Sequence, residues 1–78
     1  MTIITPALCR AARALLDWTQ DDLAREAKVS VNTIRNYEGA KVSSIHSNLA
    51  ALQATLEAAG VVFIPRNGGG GEGVRMRK

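Results

Sequence analysis

Three helix-start signals fall within residues 5–30, so the first half of this chain must break into short helices. Thr5-Pro6 supplies a hydroxyl to cap free backbone N–H groups and a proline where its missing N–H costs nothing. Thr19-Gln20-Asp21-Asp22 has the Thr-x-x-acid form of a capping box, with two carboxylates at the positive end of the helix it opens. Ser30 is the third cap, one residue after Val29, which can anchor a turn. The spacing predicts a first helix to about residue 16, a second from Gln20 to about residue 27, and a third from Val31 to Glu38. The third is expected to stop at Gly39 in the left-handed conformation of a C-cap. In the first helix Leu8, Ala11, Ala12, Leu15 and Leu16 form the expected buried stripe, with Arg10, Arg13 and Asp17 on the other face.

A fourth helix is expected from Ser43 or Ser44 to Gly60, its apolar positions Ile45, Leu49, Leu52 and Leu56 spaced by four, three and four. Val61 to Ile64 is β-branched and aromatic, residues 66–73 are rich in glycine, and residues 74–77 alternate apolar with basic. They read as two short antiparallel strands; the alternative is a flexible Gly68–Gly71 linker before a disordered basic tail. The chain therefore divides into a helical part, 1–60, and a strand extension, 61–78. Its 78 residues suffice for one core, since a chain near this size buries only about 60% of its unfolded surface. With Trp18, Tyr37 and Phe63 as the only aromatics, aliphatic side chains must fill that core.

The expected class is mainly α: four helices, the middle pair a helix-turn-helix, and a small C-terminal β-hairpin or strand pair. Residues 19–38 carry the signature, a short alanine-lined helix, a three-residue turn and a second short helix with a polar face. Ala24 and Ala27 let two helices approach closely, while Leu23, Val29, Ile34 and Tyr37 wedge the pair onto the core. Ile34 and Tyr37 point inward, which turns Val31, Asn32, Arg35 and Asn36 outward. Asn and Arg make bidentate hydrogen bonds to purine edges in the major groove, and Val can contact a thymine methyl. A merely solvated helix face would more often carry Glu and Lys pairs.

Thr19-Gln20, Leu23-Ala24, Ala27, Val29-Ser30, Thr33-Ile34 and Tyr37-Glu38 together resemble the Cro/C1-type helix-turn-helix domains of phage repressors and bacterial regulators. The resemblance runs from Leu8 to about Ala59, and the C-terminal strands look like the ending of very short members. It implies a phage-repressor-like fold and a set of DNA-contacting positions. Gln20 matches a residue that grips a phosphate and buttresses the recognition helix. Val31, Asn32 and Asn36 match base-reading positions, and Ser30, Thr33, Arg35 and Lys41 match positions beside the sugar-phosphate backbone. Ser43 is a further phosphate candidate. Two departures stand out: Lys28 occupies the turn position that commonly holds Gly, and Ser44 replaces the usual proline.

The implied function is sequence-specific binding of double-stranded DNA as a repressor or autoregulator acting by operator occupancy. An antitoxin or anti-activator that masks a protein partner is the alternative. Charge is a weak guide, because residues 1–65 carry six basic and six acidic side chains, and the excess comes from Arg66, Arg75, Arg77 and Lys78 against Glu72. That neutral body disfavours non-specific nucleic-acid packaging. Both faces of the first strand are apolar, so Val61, Val62, Phe63, Ile64, Val74 and Met76 are the expected homodimer contacts. Ala51, Ala54 and Ala58 offer a second interface. No catalysis, cofactor, metal or small-molecule ligand is expected. Cys9 and His46 lack partners, Asp21-Asp22 diverge on their helix, and the glycine run lacks the ending of a phosphate loop. Without a signal peptide or a long apolar run, the protein is expected to be cytoplasmic, bacterial or phage-encoded and nucleoid-associated.

Overall fold

The computed structural model describes residues 4–39, 46–66 and 68–77, the side chains of residues 46–48 excepted. The order is α1 (Pro6–Leu16), α2 (Gln20–Ala27), α3 (Val31–Glu38), α4 (His46–Ala58), β1 (Val61–Ile64) and β2 (Gly73–Met76). The three N-caps predicted within residues 5–30 are formed. Thr5 Oγ1 accepts from the Leu8 N–H at 3.1 Å. Thr19 Oγ1 accepts from the Asp22 N–H at 3.0 Å while Asp22 Oδ2 accepts from the Thr19 N–H at 2.9 Å, which closes the capping box. Ser30 Oγ accepts from the Thr33 N–H at 3.2 Å. The expected start of α4 at Ser43 or Ser44, together with Ile45, lies outside the described residues.

The turns depart from expectation in an instructive way. Both α1 and α2 end on a left-handed residue that is not glycine, Asp17 at φ 58° and Lys28 at φ 60°. Lys28 thus adopts the backbone that a glycine would take more cheaply, and the three-residue turn keeps its shape. Gly39, expected to be left-handed, stays right-handed at φ −83°. A side chain does the capping instead: Arg10 Nη1 donates to the Glu38 carbonyl at 2.6 Å and satisfies an orphan C=O at the end of α3.

The core joins Ile4, Leu8, Cys9, Ala12, Leu23, Ala24, Ile34, Tyr37, Leu52, Leu56, Val61 and Phe63. Its largest fully buried members are Leu23, Ile34, Leu52 and Leu56, each stabilising by about 1.5–3 kcal/mol through removal from water. The stripe on α1 is rotated from its predicted position. Leu8, Cys9 and Ala12 are buried, Leu16 is half-buried, but Ala11 is exposed and Leu15 is 44% exposed. Arg13, expected on the solvent face, is half-buried because it turns towards α3.

β1 and β2 pair antiparallel, with Val61 opposite Met76, Val62 opposite Arg75, Phe63 opposite Val74 and Ile64 opposite Gly73. Residues 73–76 therefore form a strand rather than a disordered tail. Gly60, at φ 112°, makes the reversal from α4 into β1, and the Arg77 N–H closes it on the Gly60 carbonyl at 2.7 Å. The hairpin packs on α1 and α4, while α2 packs against α3 and α4. Because Val61 and Phe63 belong to the same core as the helices, residue 60 marks a change of secondary structure and not a boundary between two cores.

Candidate nucleic-acid interface

The third helix has two chemically different sides. Ile34, Tyr37 and Glu38 are buried, whereas Asn32, Arg35 and Asn36 are exposed and point away from the core. Val31 and Thr33 sit at the margins. Val31, expected to face outward, is half-buried and packed against the core, so only part of its side chain is free for contact. On the exposed side Arg35 Nη1 donates to Asn32 Oδ1 at 3.0 Å, and near the helix start Ser30 Oγ and Thr33 Oγ1 lie 2.9 Å apart.

Glu38 holds the inner side, a role that the sequence reading missed. Its side chain is 3% exposed and accepts from Arg13 Nε at 2.7 Å, Arg13 Nη2 at 2.6 Å, Cys9 Sγ at 3.1 Å and Gln20 Nε2 at 3.2 Å. Burial works to raise the Glu38 pKa, but the hydrogen bonds from Arg13, Cys9 and Gln20 outweigh it and hold the carboxyl below its ordinary value. The same contact holds the Arg13 guanidinium above its usual range. Arg13 Nη1 also donates to the Trp18 carbonyl at 3.0 Å. Four donors on α1 and α2 thus converge on one carboxylate of α3, which sets the angle at which the exposed face is presented. Gln20 meets α3 through Glu38, and since a carboxylate only accepts, the Gln20 amide nitrogen must face it.

Two further polar groups border this cluster. Burial and then the Glu38 hydrogen bond push the Cys9 thiol far up, so it stays protonated and unreactive. Burial likewise raises the Tyr37 phenol to about 12, and its hydroxyl has no hydrogen-bond partner among the described residues.

The other predicted site residues are distributed as follows. Lys41 and Ser43 lie outside the described residues. Of the six expected dimer contacts, Val61 and Phe63 are 1% and 7% exposed, and Val74 and Met76 pack on the same core. Those four are consumed within the chain, because alternation along paired strands sends them to one face and that face lies on α1 and α4. Only Val62 and Ile64, half-buried on the outer face beside Arg75, remain for another subunit. Exposed Ala54 and Ala58 line an open groove of about 510 Å³ with Trp18, Glu26, Thr55 and Ala59. Among the described residues no group of three or more His, Cys, Asp and Glu side chains could hold a metal ion. No described helix is long and apolar enough to cross a membrane.

Comparison with known proteins agrees with this geometry. Residues 10–42 match the family model described as Helix-turn-helix, a span that contains α2, the turn, α3 and the Arg13–Glu38 pair. No curated protein matches the chain. With its two short helices joined at Lys28 and docked through Glu38, the segment 10–42 is a DNA-binding helix-turn-helix of the Cro/C1 regulator type.

Proposed function

We infer that the protein is a sequence-specific transcriptional regulator that acts as a repressor or autoregulator by occupying its operator as a homodimer. The observation that carries this reading is the division of α3, whose inner side is clamped by Glu38 while Asn32, Arg35 and Asn36 are exposed on the outer side. A clamped helix loses little freedom on docking, and its exposed groups are hydrogen-bonding types suited to base edges in the major groove. Dimerisation would use the outer hairpin face at Val62 and Ile64, because an exposed apolar strand face is best covered by a symmetric copy of itself. Two recognition helices would then address half-sites about 34–36 Å apart. The reading assigns the chain no catalysis.

Selection of bound sites from random DNA tests it, alongside sedimentation of the protein and of Ile64→Asp. The expected result is an enriched two-fold-symmetric site, bound cooperatively by the parent and only weakly by the monomeric variant. Lys41→Ala should lower affinity on every sequence and reduce the salt slope by about one per half-site. If no site is enriched and Ile64→Asp instead abolishes capture of a protein partner, the chain is a masking module of the antitoxin or anti-activator kind.

A further inference from the structure

The geometry points to a division of labour on the recognition helix: Asn32 and Arg35 act as one donor-dominated unit that reads guanine, and Asn36 by itself reads adenine. This rests on the DNA-binding reading above and departs from the resemblance, which implied that Arg35 lies beside the sugar-phosphate backbone.

The argument starts from the 3.0 Å contact between Arg35 Nη1 and Asn32 Oδ1. A guanidinium has five N–H donors and no acceptor, so the atom of Asn32 that faces it must be the carbonyl oxygen. The amide orientation is thereby decided by chemistry, and the Asn32 NH₂ group is turned away from Arg35. Asn32 and Arg35 are both exposed, so that NH₂ and the remaining guanidinium N–H groups form a surface dominated by donors, its one acceptor oxygen being turned towards Arg35.

A donor-dominated surface fits an edge with acceptors alone. Guanine presents N7 and O6 side by side in the major groove, both acceptors, whereas adenine places its N6 donor next to N7. Against adenine, one N–H of the pair would meet another N–H and lose its partner, a loss that costs more than a missing contact. Asn36 differs, because among the described residues its side chain makes no hydrogen bond and it keeps both donor and acceptor. That combination matches adenine N6 and N7. Asn32 and Asn36 are four residues, just over one helical turn, apart, about 6 Å of rise, against about 3.4 Å between base pairs, so they address different steps of the site.

The test is selection of bound sites from random DNA with the parent protein, Arg35→Met, Asn36→Ala and Asn32→Ala, with thermal melting to confirm that all four fold alike. Arg35→Met keeps the stem and removes every donor, which frees the Asn32 carbonyl. The parent should enrich guanine at one position and adenine at another. Arg35→Met should reduce the guanine preference at the first position from about tenfold or more to near unity, or reverse it to adenine, and leave the second unchanged. Asn36→Ala should do the opposite, and Asn32→Ala should weaken the guanine position alone. If Arg35→Met lowers affinity equally on all sequences and keeps the parent's preferences, Arg35 is a phosphate ligand and the paired reading is wrong, although DNA binding stands. If the parent enriches no sequence, the DNA-reading function fails and this assignment falls with it.

Discussion

α3 and the C-terminal hairpin are fastened to the same body by different physics. α3 adds to the apolar packing of Ile34 and Tyr37 a buried ion pair and its neutral partners, with Glu38 receiving Arg13, Cys9 and Gln20. The hairpin is held on the helices mainly by apolar packing, with Val61 and Phe63 sunk into the core and Val74 and Met76 beside them. Hydrophobic contact is non-directional and stabilises a strand pair without specifying its angle closely. A bidentate arginine–carboxylate contact is directional, and it falls where the orientation of a reading surface matters. The cost is desolvation of two charges, which makes this region the more vulnerable to loss of one partner.

The sharpest way to break that comparison is to cut each fastening once. Arg13→Met leaves Glu38 buried without its cation and should cost about 3–5 kcal/mol, and Phe63→Ala should cost a similar amount through its cavity. Urea denaturation across pH separates the two. The Glu38 pKa is held below its ordinary 4.5, so its contribution is complete above that value and disappears as pH falls through the lowered folded pKa. The stability gap between the parent and Glu38→Gln should therefore narrow in acid. The gap between the parent and Phe63→Ala should stay constant; a gap that shrinks equally for both would show that the ion pair is not what fastens α3.

On the free side of α3, Asn36→Ala should leave thermal stability within about 0.5 kcal/mol, because the side chain is exposed and supports nothing in the fold. Its cost should appear in affinity for the enriched site, at about 1–3 kcal/mol by mobility shift. A large loss of melting temperature would mean that the two sides of the helix are not separable.

Smaller effects probe the edges of the clamp. Tyr37→Phe removes a buried hydroxyl without a partner among the described residues and should stabilise by about 1 kcal/mol, read as a higher melting temperature. Destabilisation would show that the hydroxyl is satisfied in solution. Lys28→Gly relieves a left-handed backbone at φ 60° and should stabilise by about 0.5–1 kcal/mol without changing the selected DNA site. An altered site would mean that Lys28 contributes to recognition as well as to the turn.

Much of this molecule was legible one residue at a time. The caps at Thr5, Thr19 and Ser30, the span of α3, the inward turn of Ile34 and Tyr37 and the pairing of the two terminal strands all follow from local signals. Each depends on backbone groups a few residues away, or on a period of 3.6 or 2, and those are properties of a linear string. Glu38 was within reach by the same rule, since it stands four residues after Ile34 on the same side of the helix. What concealed it is that a buried carboxylate is tolerable only with a partner, and Arg13 lies twenty-five residues earlier in the chain. On α1 the stripe beginning at Leu8 and the one through Cys9, Ala12 and Leu16 are equally periodic. The folded helix keeps Leu8, Ala12 and Leu16, takes in Cys9 and leaves Leu15 largely in water, with Arg13 turned to Glu38. Likewise, alternation divided β1 into two apolar faces, but only packing on α1 and α4 decided that Val61 and Phe63 go inward and Val62 and Ile64 remain outside. Local hydrogen bonding and periodicity are encoded in sequence separation; the choice between two acceptable faces is a contest between distant partners, and it is settled only when the helices and the hairpin meet.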